Sequence, residues 1–360
     1  MTNSRFSAQA IAHYLGRVHC TAVHAVRVTP LGGGRQGDKG YGYGVPLRVD
    51  YEAGAMARRA VIETVRAGPF GHEHMADRAQ QHLWAHDAYG RLPRHVRSLD
   101  VGAVRTNGDL VPLGNAEELF LLVDFIEGHE YADDLIRLRA GEPLRPLELE
   151  RADALCDYLA DIHRLKGADT GLYLRRVREL VGHGECIFGV ADSYPAGGPV
   201  PFELLRDIEK RCVDWRWRLR THAGRLCQVH GDFHPWNILF RDGADFSVLD
   251  RSRGEWGEAA DDLSCLAMNY LFFSLQRSGR LEGDLRALWL RFWSRYLERT
   301  GDEQLLAVAA PFIAFRGLVM ASPIWYPALA AAVRESLLRF IVNVLDAPRF
   351  DPARVDDYLA

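Results

Sequence analysis

The sequence predicts an α+β protein of two lobes: a small antiparallel-sheet lobe over residues 1–127 and a larger, mostly helical lobe over residues 128–360. Three observations predict it. The chain is 360 residues long, too long for one small domain. Apolar residues before Gly128 come in short strand-like runs, whereas after it they recur at helical spacing. Asn107-Gly108, set between two β-prone runs, is a strong hairpin signal.

Along the chain, seven glycines fall between Gly32 and Gly44, and a strand-like run follows over residues 45–51. After a Glu-Ala-Gly turn, residues 60–65 read as a second strand, with Val61, Glu63 and Val65 on one face and Ile62 and Thr64 on the other. A helix is expected over residues 73–87, and a hairpin joins residues 101–105 to 110–113. Residues 119–126 form a short apolar run ending before Gly128, as a buried strand would. Beyond it, Ala152, Leu155, Cys156, Leu159, Ile162 and His163 share a helix face. Leu285, Leu288, Trp289, Phe292, Trp293 and Tyr296 do likewise, as do Val333, Leu337, Leu338 and Ile341 within residues 330–345. One hairpin interrupts these helices, where residues 238–240 and 246–249 flank Asp242-Gly243.

Composition narrows the function classes. With 48% hydrophobic and 26% charged residues, the chain is neither disordered nor fibrous. A net charge of −4 offers no global positive field for nucleic acid or an anionic membrane, so neither is an expected partner. No apolar run reaches the roughly 18 residues of a membrane span; Pro311 and Arg316 interrupt residues 305–320. Residues 1–15 lack the apolar core of a signal peptide, which leads to a cytoplasmic expectation. The six cysteines are scattered with no Cys-x-x-Cys pair, as expected of reduced, half-buried thiols. Lysine is confined to Lys39, Lys166 and Lys210.

The most informative segment is His230-Gly-Asp-Phe-His-Pro-Trp-Asn-Ile-Leu-Phe240, followed by Val248-Leu-Asp250. Asp232 and Asn237 stand on the loop entering the hairpin, and Asp250 just after its return strand. A carboxylate, an amide and a second carboxylate converging at one hairpin end suit phosphoryl transfer: one Asp takes the proton of an attacking hydroxyl, and the other oxygens hold Mg²⁺ against phosphates. A metal-hydrolase cluster of His230, Asp232 and His234 fits less well, because no other histidine pair has ligand-like spacing. Gly32, Gly33, Gly34 and Gly37 match G-x-G-x-x-G, but the loop leads into a strand rather than a helix, and no G-K-[ST] follows. It is either a backbone flap over phosphates or a surface hairpin.

On these motifs the chain resembles the aminoglycoside phosphotransferase and choline kinase family, within the protein-kinase-like fold. Gly257-Glu-Ala-Ala-Asp-Asp-Leu263 is similar to the family's segment opening a bracing helix, and Leu159-Ala-Asp-Ile-His163 to another of its helices. The resemblance covers residues 26–275. It implies an ATP-dependent (or GTP-dependent), Mg²⁺-requiring kinase acting on a small-molecule hydroxyl. Asp232 would be the catalytic base, Asn237 and Asp250 the metal ligands, and Asp262 a brace for the loop. Gly32, Gly33, Gly34, Gly37 and Lys39, with the backbone near Phe125 and Glu127, would meet the nucleotide.

One departure stands out. The family's third strand carries a Lys or Arg that contacts phosphates, and the alignment puts Glu63 there. At an effective dielectric near 20 and ~4 Å, two like charges cost about 4 kcal/mol. Either Lys39, Arg35, Arg58 or Arg59 supplies a cation, or Mg²⁺ masks the repulsion, or nucleotide binding is impaired; Lys39 reads more readily as a solvated loop residue. The helix partner of that position would be Glu73 or Asp77. A pseudokinase that binds nucleotide or metabolite without transfer is the alternative function. Arg251 and Arg253 could serve a transferred phosphoryl group or an anionic substrate, or be solvated. Trp215, Trp217 and Trp256 with Asp133, Asp134 and Glu258 could form a pocket for a cationic amine, or be core.

Overall fold

The computed structural model describes residues 5–31, 44–68 and 70–360. Chain contacts divide it into two units, residues 1–123 and 124–360.

In the first unit, helix α1 (Ala8–His19) starts where the Ser7 side chain accepts from Ala10 N, and it buries Ile11 and Leu15, four apart on one face. It packs on a three-stranded antiparallel sheet, β1 (Val23–Pro30), β2 (Leu47–Ala53) and β3 (Met56–Ile62), in that order. Alternation along β2 explains the small core: Val49, Tyr51 and Ala53 point inward and meet Ile11, Leu15 and Leu110. Helix α2 (Met75–Tyr89) and the hairpin β4 (Gly102–Val104) and β5 (Leu110–Pro112) complete the unit, the hairpin turning at Gly108 with φ +89°.

Two expectations need correction here. The second strand begins four residues earlier than its apolar alternation suggested and ends at Ile62, because pairing with β2 is closed by the tight Gly54 turn rather than set by the apolar run. Glu63 therefore lies just past the strand, where its charge acts on His82 of α2. Glu73 precedes α2, and Asp77 is spent capping its first turn through His74 N. Residues 119–126 form no strand, and Phe120, Leu122 and Phe125 are 91%, 88% and 87% exposed. Apolar content marked a segment needing cover, but no described strand pairs with it.

The second unit is built around one helix. After β6 (His129–Glu130) come α3 (Tyr131–Arg139), α4 (Pro146–His163), α5 (Thr170–Gly182), α6 (Ile187–Asp192) and α7 (Phe202–Leu219). Short strands follow: β7 (Cys227–Gln228), β8 (Ile238–Phe240), β9 (Phe246–Val248) and β10 (Trp256–Gly257). The chain ends in α8 (Ala259–Ser278), α9 (Gly283–Thr300), α10 (Leu305–Val308), α11 (Ala310–Ala321), α12 (Ala331–Asp346) and α13 (Val355–Leu359). Helix α8 is apolar nearly all round and buried from Ala259 to Leu275 apart from Asp261, so it must be enclosed, and α3, α4, α9, α11 and α12 pack on it. Against α12, a side chain at Gly317 of α11 would come within 2.7 Å of Ile341. The expected α+β architecture is the one observed.

Helices α4 and α9 are also joined by a ladder at four-residue steps, with Asp153, Asp157 and Asp161 bonded to Arg291, Arg295 and Arg299. These side chains are partly exposed, so each pair is worth no more than ~1 kcal/mol. Asp157→Asn should therefore lower stability by less than about 1 kcal/mol, a loss that shrinks further in 1 M salt. Urea titrations at two ionic strengths measure it; a loss of several kcal/mol would contradict this account.

Candidate active site

The loop carrying Asp232 is shaped by the strands on either side of it. β7 pairs antiparallel with β10, Gln228 opposite Trp256, and the Val229 N–H extends the pairing to Glu255 O. The chain then reverses at Gly231, whose φ of +88° favours glycine; a side chain there would also press on Arg253 Cβ at 3.3 Å. The reversal turns the N–H groups of His230 and Gly231 toward α8, where they donate to the two oxygens of Asp262 at 2.8 and 2.7 Å. Asp262 is wholly buried, and His163 Nε2 lies 3.0 Å from the same carboxylate. Burial alone would push this carboxyl up, but His163 and the two loop N–H groups hold it below the usual carboxylate range. His163 is held in turn by the Tyr296 hydroxyl at 2.8 Å. The bracing role expected of Asp262 is what the structure displays.

Asp232 follows. Its N–H donates to His230 Nδ1, which makes Nδ1 an acceptor and places the ring proton on Nε2, an atom with no partner among the described residues. Its Oδ1 accepts from Arg316 Nη1 at 2.6 Å. Oδ2 lies 3.7 Å from His234 Nε2, beyond hydrogen-bond reach. Burial would raise the Asp232 carboxyl, but Arg316, Arg253 and His234 outweigh it and keep the group below its ordinary value. His234 is lowered, chiefly by burial, with Asp232 pulling the other way.

The loop then tightens through a single 3₁₀ turn at Pro235–Asn237. The Asn237 amide donates from Nδ2 to Asp232 O at 3.0 Å, which leaves its oxygen unspent. Leu249 N donates to Asn237 O, so Asp250 emerges beside Asn237 at the same end of the β8–β9 hairpin. Its carboxylate is exposed, and its φ of +52° is a left-handed conformation that Asp tolerates better than most residues. Asp232, Asn237 and Asp250 thus lie on the chain entering and leaving the same end of the β8–β9 hairpin. Both candidate ligand oxygens are hard donors free of other protein bonds among the described residues, a set suited to Mg²⁺, which is typically held by one or two carboxylates plus substrate phosphates.

The remaining candidates are placed differently. Phe125 and Glu127 lie in an exposed, extended stretch leading into β6, which pairs with β8 and so belongs to the sheet that carries Asn237. Gly128 makes that join close: a side chain there would meet Phe240 O at 2.9 Å. Gly32, Gly33, Gly34, Gly37 and Lys39, with Arg35, lie outside the described residues. Arg251 is exposed, and its guanidinium donates twice to Val229 O and once to Glu255 O, clipping the loop. Arg253 lies over the Phe315 ring, 5.1 Å from its centroid. Four of the aromatic and acidic residues considered for a cationic-amine pocket are engaged elsewhere or exposed. Trp215 is buried and bonded to Leu345 O, Trp217 is exposed beside Arg216 and Arg220, Asp134 pairs with Arg151, and Glu258 with Arg225.

The family model described as a phosphotransferase enzyme family matches residues 50–298, more than half of the chain. The chain belongs to that family. The matched stretch contains the loop, the hairpin and the α8 brace. Among solved structures, a glucosamine kinase is similar at 20% identity and a TM-score of 0.33. That match covers 64% of this chain and 55% of the other, so the chain spans little more than half of that relative's length. An amicoumacin kinase in complex with AMP-PNP, Ca²⁺ and Ami matches at 14% identity over 98% of each chain, with a TM-score of 0.42. A macrolide 2′-phosphotransferase from Brachybacterium faecium matches at 14% identity over 96% of this chain and 99% of its own, with a TM-score of 0.33. No curated protein matches in sequence.

Sequence reasoning missed one residue of this candidate site. Arg316 drew notice only as a break in an apolar run, yet it contacts Asp232 directly. The signal was there: one arginine in the otherwise apolar Ala310–Ala321 helix has no place in a core unless a buried acid meets it.

Proposed function

We propose that the chain transfers the γ-phosphoryl group of ATP or GTP to a hydroxyl of a small molecule. Asp232 Oδ2 takes the hydroxyl proton as the hydroxyl oxygen bonds to phosphorus and the bond to the β-phosphate oxygen breaks, releasing the nucleoside diphosphate. Asn237 and Asp250 would hold Mg²⁺, which when bound offsets phosphate charge. The observation supporting this reading is the placement of Asp232 and Asn237 on the loop entering the β8–β9 hairpin and of Asp250 just after its return strand, with that loop fastened by buried Asp262. In it, residues 1–127 act as the nucleotide-flap lobe and 128–360 as the catalytic and acceptor lobe. Gly32, Gly33, Gly34 and Gly37 would lie over the phosphates, Lys39 would offset the charge of Glu63, and the backbone near Phe125 and Glu127 would meet the base. The cytoplasm suits such an enzyme, whose cysteines form no disulfide among the described residues, five of the six being buried.

Thermal unfolding with ATP or GTP, with and without Mg²⁺, tests the binding half. Ligand at 100 times its Kd adds about 2.7 kcal/mol, so a metal-dependent rise in Tm of several degrees is expected for one nucleotide. Absence of any rise with either would remove the nucleotide from the proposal. A survey of hydroxyl acceptors by nucleotide consumption tests transfer; nucleotide binding with no turnover on any acceptor would favour the pseudokinase alternative that Glu63 raises.

A further inference from the structure

Helix α11 carries a single charge, Arg316, which is 6% exposed amid Phe312, Ile313, Phe315 and Met320. Burying a guanidinium costs solvation that packing does not return, and an apolar residue of similar volume often serves stability as well. Its presence is therefore explained by what it holds. Nη1 donates to Asp232 Oδ1 at 2.6 Å, while Nη2 donates to Gly231 O at 3.0 Å and to Asp261 Oδ1 at 2.7 Å. Asp261 stands in the first turn of α8, beside the Asp262 that fastens the same loop. One planar group thus ties the Asp232 side chain and the loop backbone to two enclosed helices.

We infer that Arg316 is a positioning residue: by fixing Asp232 Oδ1 it sets the carboxylate rotamer and leaves Oδ2 as the oxygen presented to the acceptor hydroxyl. This rests on the reading of Asp232 given above. The other groups around Asp232 do not duplicate the role. His234 on its own loop is too far from Oδ2 to bond it; Cys265 of α8 reaches Oδ1 only at 3.9 Å; Arg253, on the loop after β9, rests on Phe315 rather than on either oxygen. Geometry held to about half an ångström is what proton transfer between oxygens requires.

The test measures kcat, nucleotide KM and thermal stability for Arg316→Met, Arg316→Lys, Asp232→Asn and the double variant Asp232→Asn/Arg316→Met. Arg316→Met should lower kcat by about 100-fold with nucleotide KM changed less than about twofold, because the base loses its orientation and a neighbouring positive charge while the proposed metal ligands are untouched. Arg316→Lys, which keeps the charge but not the fork, should fall between it and the parent. In the Asp232→Asn background the Met substitution should cost little more, since it acts through a group already disabled. If Arg316→Met fails to fold, Arg316→Lys decides alone: a folded variant with reduced kcat supports the inference, and parental kcat overturns it. Parental kcat in Arg316→Met, a loss confined to KM, or an undiminished loss in the double variant also overturns it. An Asp232→Asn enzyme at parental rate would instead sink the reading of Asp232 itself, and this inference with it.

Discussion

Asp232→Asn should lower kcat by about 10²–10⁴-fold, the usual contribution of a positioned general base. Asparagine keeps the shape and can still accept from Arg316, so the loop should stay in place. What disappears is a carboxylate held ionised, against its own burial, by Arg316, Arg253 and His234. Nucleotide affinity should change little, because the proposed metal ligands Asn237 and Asp250 are untouched. Steady-state kinetics paired with calorimetric titration of Mg·nucleotide separates the two quantities. A variant at full rate would remove Asp232 from the chemistry, and equal loss of rate and nucleotide binding would recast it as part of the metal site. Asn237→Ala differs in kind: it deletes an oxygen of the proposed metal set and also the amide bond to Asp232 O.

The legible parts of this fold are those set by local chemistry. Helical spacing from Ala152 to His163 and from Leu285 to Tyr296 marked α4 and α9 because each buries one stripe against α8. Asn107-Gly108 marked its hairpin because the turn needs a residue at positive φ. The loop and hairpin were legible because Asn237 is tied by short-range bonds to Asp232 O and to Leu249 N, the residue before Asp250. What escaped was set by distance in sequence. Strand β3 was misplaced because β2 pairing decides its ends. Arg251 and Glu258 looked available for ligands, but Val229 O and Arg225, twenty-two and thirty-three residues away, claim them. The apolar helix around Arg316 signalled a buried acid, but not which one, because that partner lies eighty-four positions earlier.

Asp262→Ala is expected to be the most destabilising single change in the second unit. The carboxylate is fully buried and accepts from His230 N and Gly231 N while facing His163. Truncation leaves two buried backbone donors and the Nε2 of His163 without partners, and breaking such a buried arrangement typically costs about 3–5 kcal/mol. At about 2–4 °C per kcal/mol for a unit of this size, Tm should fall by roughly 6–20 °C. The contrast with Asp157 is a physical one: both acids meet a basic side chain, but water solvates what Asp157→Asn leaves behind and not what Asp262→Ala does. Activity should fall faster than stability, because the freed N–H groups belong to the backbone that aims Asp232. Asp262→Asn, which restores one acceptor, should recover part of the Tm but less of the rate, since one oxygen cannot bond both N–H groups in the original geometry. Calorimetric unfolding and kcat measured below the lowered Tm would check both. A Tm within 2 °C of the parent for the alanine variant would show that the loop does not depend on this brace.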